Sequence, residues 1–239
     1  MTTINLYVSG EYPCGYLENH SARSAFVHPA EIINNELYSD LIALGFRRSG
    51  DNVYRPSCTS CNACIPTRLK VSDFLPKRSQ KRCIARNKKT EVAIKPDLFD
   101  AGQFALYKRY LASRHNEHGN VELEADDFMG FLSSHWGNTH FVEFRNEGAL
   151  FAVAVVDQVE NGLSAVYTFF DPDFSDYSPG VYAVLWQIEH ARQLKLDWLY
   201  LGFWIKQCQK MAYKSNYQPL QLFDGKQWVD YPGDEDEKV

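Results

Sequence analysis

Residues 140–172 read HFVEFRNEGALFAVAVVDQVENGLSAVYTFFDP. Three runs of β-branched, aromatic and other apolar residues, 140–145, 150–156 and 164–170, are separated by Asn146-Glu147-Gly148 and Glu160-Asn161-Gly162. Turn residues placed between strand-forming runs predict an antiparallel three-stranded meander.

Outward from the meander, helices are expected over 99–115 and 124–136 before it, and over 181–194 after it. An apolar strand at 198–202, a short helix at 207–214 and strands at 220–223 and 227–229 close the chain. Helices, three antiparallel strands, a helix, a strand and a helix is an order similar to that of the GNAT acyltransferase fold, an α+β architecture. Order alone bounds function weakly. Towards the N-terminus, Ile32, Ile33, Leu37, Leu41 and Leu44 recur at three- and four-residue steps, predicting a helix over 29–44 that stops at Gly45. A hairpin over 46–55 turns at Ser49-Gly50-Asp51-Asn52. A strand at 67–71, a helix at 79–87 and a strand at 91–94 follow, then a linker marked by Pro96 and Gly102. The expected organisation is a small cysteine-containing, basic α+β domain at 1–96, a GNAT-like domain at 97–230, and a charged, disordered tail at 231–239.

The chain has 239 residues and a formal net charge of −5, with 45% hydrophobic residues. No apolar run reaches the ~18 residues that a membrane helix needs. The first residues lack a basic segment followed by an apolar one, so a cytoplasmic protein without a signal peptide is expected. Charge is unevenly spread: residues 1–100 carry 14 Lys/Arg against 10 Asp/Glu, so an anionic partner is expected to dock mainly there. Within that half, Lys77, Arg78, Lys81, Arg82, Arg86, Lys88 and Lys89 are seven cations with no acid among them. On a helix, 78, 82 and 86 share a face, which suits a phosphate backbone, although a solvated helical face has the same pattern.

Cys58, Cys61 and Cys64 are spaced two residues apart, so that their thiolates can converge on one soft metal or cluster. Cys14 or Cys83 would supply a further thiol, and His20 or His28 could stand in. A metal-free cysteine loop is the alternative. Tyr107, Tyr110, Leu111 and Arg114, with His115 beside them, fall on a predicted helix and either stack on unpaired bases or form its core face. Asp171 ends a strand before Pro172, where it either terminates the strand or orients an attacking amine. Gly202 would let a substrate approach the backbone. Lys210 and Lys214 lie one helical turn apart, as surface residues or as partners of a substrate anion.

A CoA-binding GNAT enzyme is expected to carry a Gln/Arg-x-x-Gly-x-Gly/Ala loop before its central helix. Here Asp176-Tyr177-Ser178-Pro179-Gly180-Val181-Tyr182 has one Gly only. The chain also has no Walker A loop, Rossmann fingerprint or Gly-x-Ser-x-Gly elbow, so no nucleotide cofactor is expected.

Several segments together resemble the arginyl/leucyl-tRNA–protein transferase family, and its bacterial leucyltransferase branch most. They are Cys14-Gly15-Tyr16-Leu17, Leu44-Gly45-Phe46-Arg47-Arg48-Ser49-Gly50, and Tyr54-Arg55-Pro56 through Cys64 to Ile65-Pro66-Thr67-Arg68. Ser79-Gln80-Lys81-Arg82, the Ala165–Pro172 segment, Tyr200-Leu201-Gly202 and Lys210-Met211-Ala212-Tyr213-Lys214 complete the set, in family order over nearly the whole chain. The resemblance implies transfer of leucine from leucyl-tRNA to the α-amine of proteins beginning with Asp or Glu, which marks them for degradation by the N-end rule. An arginyl donor, an N-acetyltransferase and a non-catalytic RNA-binding metal module are the rival readings. Eukaryotic members carry a second Cys where Leu17 stands and a double Cys where Ala63-Cys64 stands.

On that resemblance, Lys77, Arg78, Lys81, Arg82 and Arg86 are expected to bind tRNA, and Arg78 and Lys210 the acceptor's acidic side chain. Tyr167, Asp171 and Tyr213 are expected to serve the reacting carbonyl and the departing ribose oxygen. Transfer requires no cofactor; Cys14, Cys58, Cys61 and Cys64 are the place for a metal or iron–sulfur cluster.

Overall fold

A computed structural model describes residues 3–114 and 123–233. The N-terminal part holds strands β1 (Leu6–Val8), β2 (Tyr12–Pro13), β3 (Ser21–Ala22) and β4 (Ser24–Val27), then helix α1 (Asn35–Ala43) and the hairpin β5 (Arg47–Ser49) and β6 (Asn52–Pro56). Next come β7 (Ile65–Lys70), α2 (Arg78–Arg86), β8 (Glu91–Pro96), α3 (Ala101–Arg114) and α4 (Ala125–Leu132). The meander is β9 (Thr139–Asn146), β10 (Ala149–Val159) and β11 (Gly162–Phe170). It is followed by a 3-10 turn (Pro172–Tyr177), α5 (Pro179–Gln193), β12 (Trp198–Trp204), α6 (Gln209–Ala212), a second 3-10 turn (Tyr213–Asn216), β13 (Leu220–Phe223) and β14 (Trp228–Asp230).

Strand β10 shows why the meander forms the centre. Its residues alternate between two cores: Phe151, Ala152, Ala154 and Val156 pack towards α5, while Val153 and Val155 pack towards α3 and α4. A strand covered on both faces needs the near-continuous apolar run that residues 150–156 supply. The eight-stranded sheet runs β14-β13-β7-β12-β11-β10-β9-β8. Only β11 and β12 are parallel, because α5 crosses over between them. A separate four-stranded sheet, β1-β4-β6-β5, packs with α1 against the side of the large sheet where Val159 and Tyr200 lie.

Three expectations need correction. The helix predicted over 29–44 begins at Asn35, where the Asn34 side chain accepts from Leu37 N–H at 2.8 Å; Ile32 is 90% exposed and outside it. A cap that satisfies an orphan N–H outweighs two further apolar residues in the periodic pattern. Strands β1 to β4 have no counterpart in the sequence reading, because two- to four-residue strands carry too little period to detect. Residues 65–96, placed by sequence in the N-terminal domain, contribute β7 and β8 to the large sheet. Strand β7 fills the place between β12 and β13 and so buries Thr67 and Leu69. The charged tail beyond residue 233 lies outside the described residues.

Arg48 joins the two sheets. Its Nε donates to Asp157 Oδ2 at 2.7 Å and its Nη2 to Asp157 Oδ1 at 2.6 Å. Nη2 also donates to Leu132 O at 2.9 Å and to Thr139 Oγ1 at 3.1 Å. Both charged side chains are essentially buried, and the bidentate geometry offsets their desolvation.

Candidate active site

Strands β11 and β12 pair for only three residues, Gly162–Ser164 against Trp198–Tyr200. Beyond these the register recorded for each strand lies with its other neighbour, β11 with β10 and β12 with β7. Arg47 takes up the carbonyl at the point of separation: its Nη2 donates to Ala165 O. Gly202 lies beside it with φ +86°, and a Cβ there would stand 3.7 Å from the guanidinium. The positive φ and the bulge at 200–202 explain the glycine. Thr67 Oγ1 holds the Gly202 carbonyl at 2.9 Å.

Lys214 completes this centre from the second 3-10 turn. Its Nζ donates to Phe203 O at 2.7 Å, it is 4% exposed, and the Tyr213 ring lies 5.2 Å away. Burial, then the neighbouring Arg47 charge, bring its pKa down to about 7, against a smaller opposing effect of Cys208 and Cys64.

Aromatic hydroxyls stand around the opening. Tyr167, on β11, meets the rings of Tyr107, Tyr110 and Phe131 at 6.1, 6.3 and 5.4 Å. Tyr213 lies near both Tyr110 and Arg47, and its hydroxyl pKa is raised, chiefly by the partial burial of its oxygen end. Tyr110 thereby connects the two tyrosines singled out in the sequence. Asp171 is buried but engaged: Oδ2 accepts from Arg109 Nη2, and Oδ1 accepts from Asp173 N–H at 3.1 Å as the cap of the following 3-10 turn. Tyr107 is core, its ring 5.2 Å from those of both Phe128 and Phe169. The Arg114 side chain and His115 lie outside what is described.

Helix α2 presents its cations as the sequence suggests. Lys77, Arg78, Lys81, Arg82, Arg86, Lys88 and Lys89 are all exposed, and among the described residues none pairs with a carboxylate. Its opposite face is fastened at both ends. Gln80 Nε2 donates to Asn216 O at 3.3 Å, in the turn that carries Tyr213 and Lys214. Arg86 donates to Asp176 O, and Asn87 Nδ2 to Tyr177 O at 2.9 Å, in the turn that Asp171 caps. The cationic face is thus joined directly to both segments bearing the proposed catalytic side chains.

The four cysteines expected to group, Cys14, Cys58, Cys61 and Cys64, lie at one place, with Cys208 near them. Burial, then the thiols of Cys14, Cys58, Cys61 and Cys208, push the Cys64 thiol up to about 12. Cys208 therefore belongs to this neighbourhood. Cys83 does not: it is buried under α2 with its Sγ 3.8 Å from Tyr177 O. His20 and His28 are each engaged with nearby backbone. Among the described residues no three His, Cys, Asp or Glu side chains converge closely enough to hold a metal ion. Cys14, Cys58, Cys61 and Cys64 line a cleft of about 1030 Å³, together with Tyr16, Tyr54 and Phe203.

Of the acceptor-binding residues expected from sequence, Arg78 is exposed on α2 and Lys210 is exposed on α6; neither lines the cleft. Sequence reasoning gave no role to Arg47. The signal available was an Arg47-Arg48 pair in a short apolar hairpin, where adjacent side chains must point to opposite faces.

A meander, a crossover helix and a strand pair that parts around buried donors make this an acyltransferase type of fold. The N-terminal and C-terminal descriptions of arginine-tRNA-protein transferase match residues 12–82 and 102–224. The chain belongs to that transferase family. It is 47% identical to the aspartate/glutamate leucyltransferase of Alcanivorax borkumensis over 228 residues, 95% of this chain and 94% of that one. Identity to the enzyme of the same name from Saccharophagus degradans is 45%, covering 97% of this chain and 100% of that one. The crystal structure of the C-terminal domain of a putative lysylphosphatidylglycerol synthetase from Agrobacterium fabrum aligns with TM-score 0.47 and 13% identity, over 64% of this chain and 50% of that one.

Proposed function

We propose that this protein moves leucine from leucyl-tRNA onto the α-amine of proteins that begin with Asp or Glu, marking them for N-end-rule degradation in the cytoplasm. The observation that carries the reading is the exposed cationic face of α2, whose cations pair with no carboxylate among the described residues, on a helix held through Gln80 and Asn87 to the turns beside Lys214 and Asp171. Relatives of that name match over almost their whole length. Among the described residues no helix is long and apolar enough to cross a membrane.

The donor ester is already activated. The acceptor α-amine, with a pKa of about 7.7–8.0, is partly neutral at physiological pH. Its nitrogen attacks the ester carbonyl, the carbon–oxygen bond to ribose breaks, an amide forms, and the amine proton passes to the ribose oxygen. Alignment supplies much of the acceleration, since effective molarities of about 10⁵–10⁸ M are reached in oriented systems. Tyr167 and Tyr213 act as hydroxyl donors to the developing oxyanion and to the departing oxygen. Asp171, with Arg109, fixes the end of β11 beside them. Lys77, Arg78, Lys81, Arg82 and Arg86 hold tRNA phosphates.

The test is incubation with tRNAs charged with labelled leucine or arginine and with peptides beginning with Asp, Glu, Arg or Ala. Mass spectrometry is expected to find leucine on Asp- and Glu-headed peptides alone. Arginine on the same peptides would reassign the donor, and no extension of any peptide would end the reading. Acetyl-CoA in a parallel arm is expected to give neither thermal shift nor product.

A further inference from the structure

We propose that Arg47 and Lys214 together form the receptor for the acceptor's acidic first side chain. This rests on the acidic-acceptor reading above and names the groups that read it. Arg47 is 8% exposed and Lys214 is 4% exposed. Neither forms an ion pair with a carboxylate among the described residues. Arg47 spends Nη2 on Ala165 O, while its Nη1 is buried with no hydrogen-bond partner. Lys214 spends one donor on Phe203 O and makes a 3.4 Å contact with Met211 Sδ. Two buried basic side chains that meet at the adjacent residues Gly202 and Phe203, with an unpartnered donor on Arg47 and no counter-ion, form an arrangement that an entering anion would stabilise.

Arg47 and Lys214 are not themselves in the lining of the thiol-bearing cleft, but each is joined to a residue that is. Arg47 is paired with Tyr54 across the β5–β6 hairpin, and Lys214 holds the carbonyl of Phe203. Tyr54 and Phe203 line the thiol-bearing cleft, with ring centroids 6.2 Å apart. The absent Cβ at Gly202 leaves room next to the guanidinium. From a chain terminus lying in the cleft, an acidic side chain would reach Arg47 and Lys214 by displacing these two rings. A phosphodiester, flanked by nucleotides on both sides, does not enter so closed a place; the open face of α2 suits it.

The test compares peptides headed by Asp and by its neutral isostere Asn, with full-length wild type and Lys214→Gln. Initial rates of leucine transfer are measured by mass spectrometry, with KM for leucyl-tRNA measured separately. Anisotropy of labelled peptides reads acceptor binding without transfer. The expected result is a preference of wild type for Asp that falls about ten- to hundredfold in the variant, as loss of a hydrogen bond to a charged group requires. Transfer to Asn-headed peptide should fall far less than transfer to Asp-headed peptide, and KM for leucyl-tRNA should not rise. Equal loss for both peptides, or a raised KM for leucyl-tRNA with the Asp preference intact, would overturn the assignment, the second result pointing to a tRNA phosphate. If wild type extends no peptide, the functional reading fails, and anisotropy still judges the pair: an Asp preference lost in the variant supports it, and none in wild type refutes it. Should Lys214→Gln fail to fold, Arg47→Lys carries the same comparison, because it keeps the charge and removes the unpaired donor.

Discussion

Lys214 carries a cost that depends on pH. In the unfolded chain its ammonium keeps its proton up to the usual lysine range, while in the fold burial brings the pKa to about 7. Below about pH 7 both states are charged and the penalty of burying that charge is fully present. Between there and about pH 10 the unfolded state binds more protons, so stability rises with pH across this window. Urea unfolding of wild type and Lys214→Met over that range is therefore expected to show wild type gaining on the variant as pH increases. Parallel curves would mean that the ammonium is not buried. At this scale the sequence was only partly legible: it singled out Asp171 from its place at a strand end, and Tyr167 and Tyr213 through the family resemblance. It did not show that Asp171 is held by Arg109, or that Arg47 is buried against the Ala165 carbonyl, since both facts depend on which segments lie opposite.

Elements are stabilised by contacts whose partners lie far along the chain. The β5–β6 turn is one case: Gly50 has φ +56°, and its N–H donates to Phe131 O at 2.9 Å, at the end of α4. A Cβ at that position would stand 2.1 Å from the Gly130 carbonyl oxygen. Gly50→Ala combines a disfavoured backbone conformation with a direct clash, so it is expected to cost more than about 1 kcal/mol. Equilibrium unfolding checks this, and an unchanged midpoint would show that α4 can move aside freely. The hairpin itself was readable because turn residues and alternation are local. Its docking on α4 was not, because nothing in 46–55 records what packs against it.

The whole molecule depends on a few long-range ties. Arg48→Ala leaves Asp157 charged, buried and without its bidentate partner, and is expected to lower stability by about 3–5 kcal/mol. Calorimetry would read this as a lower melting temperature, and a change near zero would show that the two sheets do not need the pair. On the outer surface, the double variant Lys81→Ala/Arg82→Ala is expected to weaken leucyl-tRNA binding. The slope of log K against log salt should become shallower by about 1.5. Binding measured across a salt series decides it, and an unchanged slope would leave α2 a solvated face.

By itself the sequence determined the meander, the crossover helix, the hairpin and the cationic stripe, along with the family to which they belong. Each is written in a period of two or about four residues, in a turn, or in an unbroken order of short motifs, and such signals survive in one dimension. Only the tertiary structure decided that β7 joins the large sheet, that Cys208 comes near Cys64, and that Arg47 reaches Ala165, 118 positions away. The physical reason is that burial and pairing arise between elements: a side chain's solvent, neighbours and pKa are set by packed surfaces that no local stretch of chain contains.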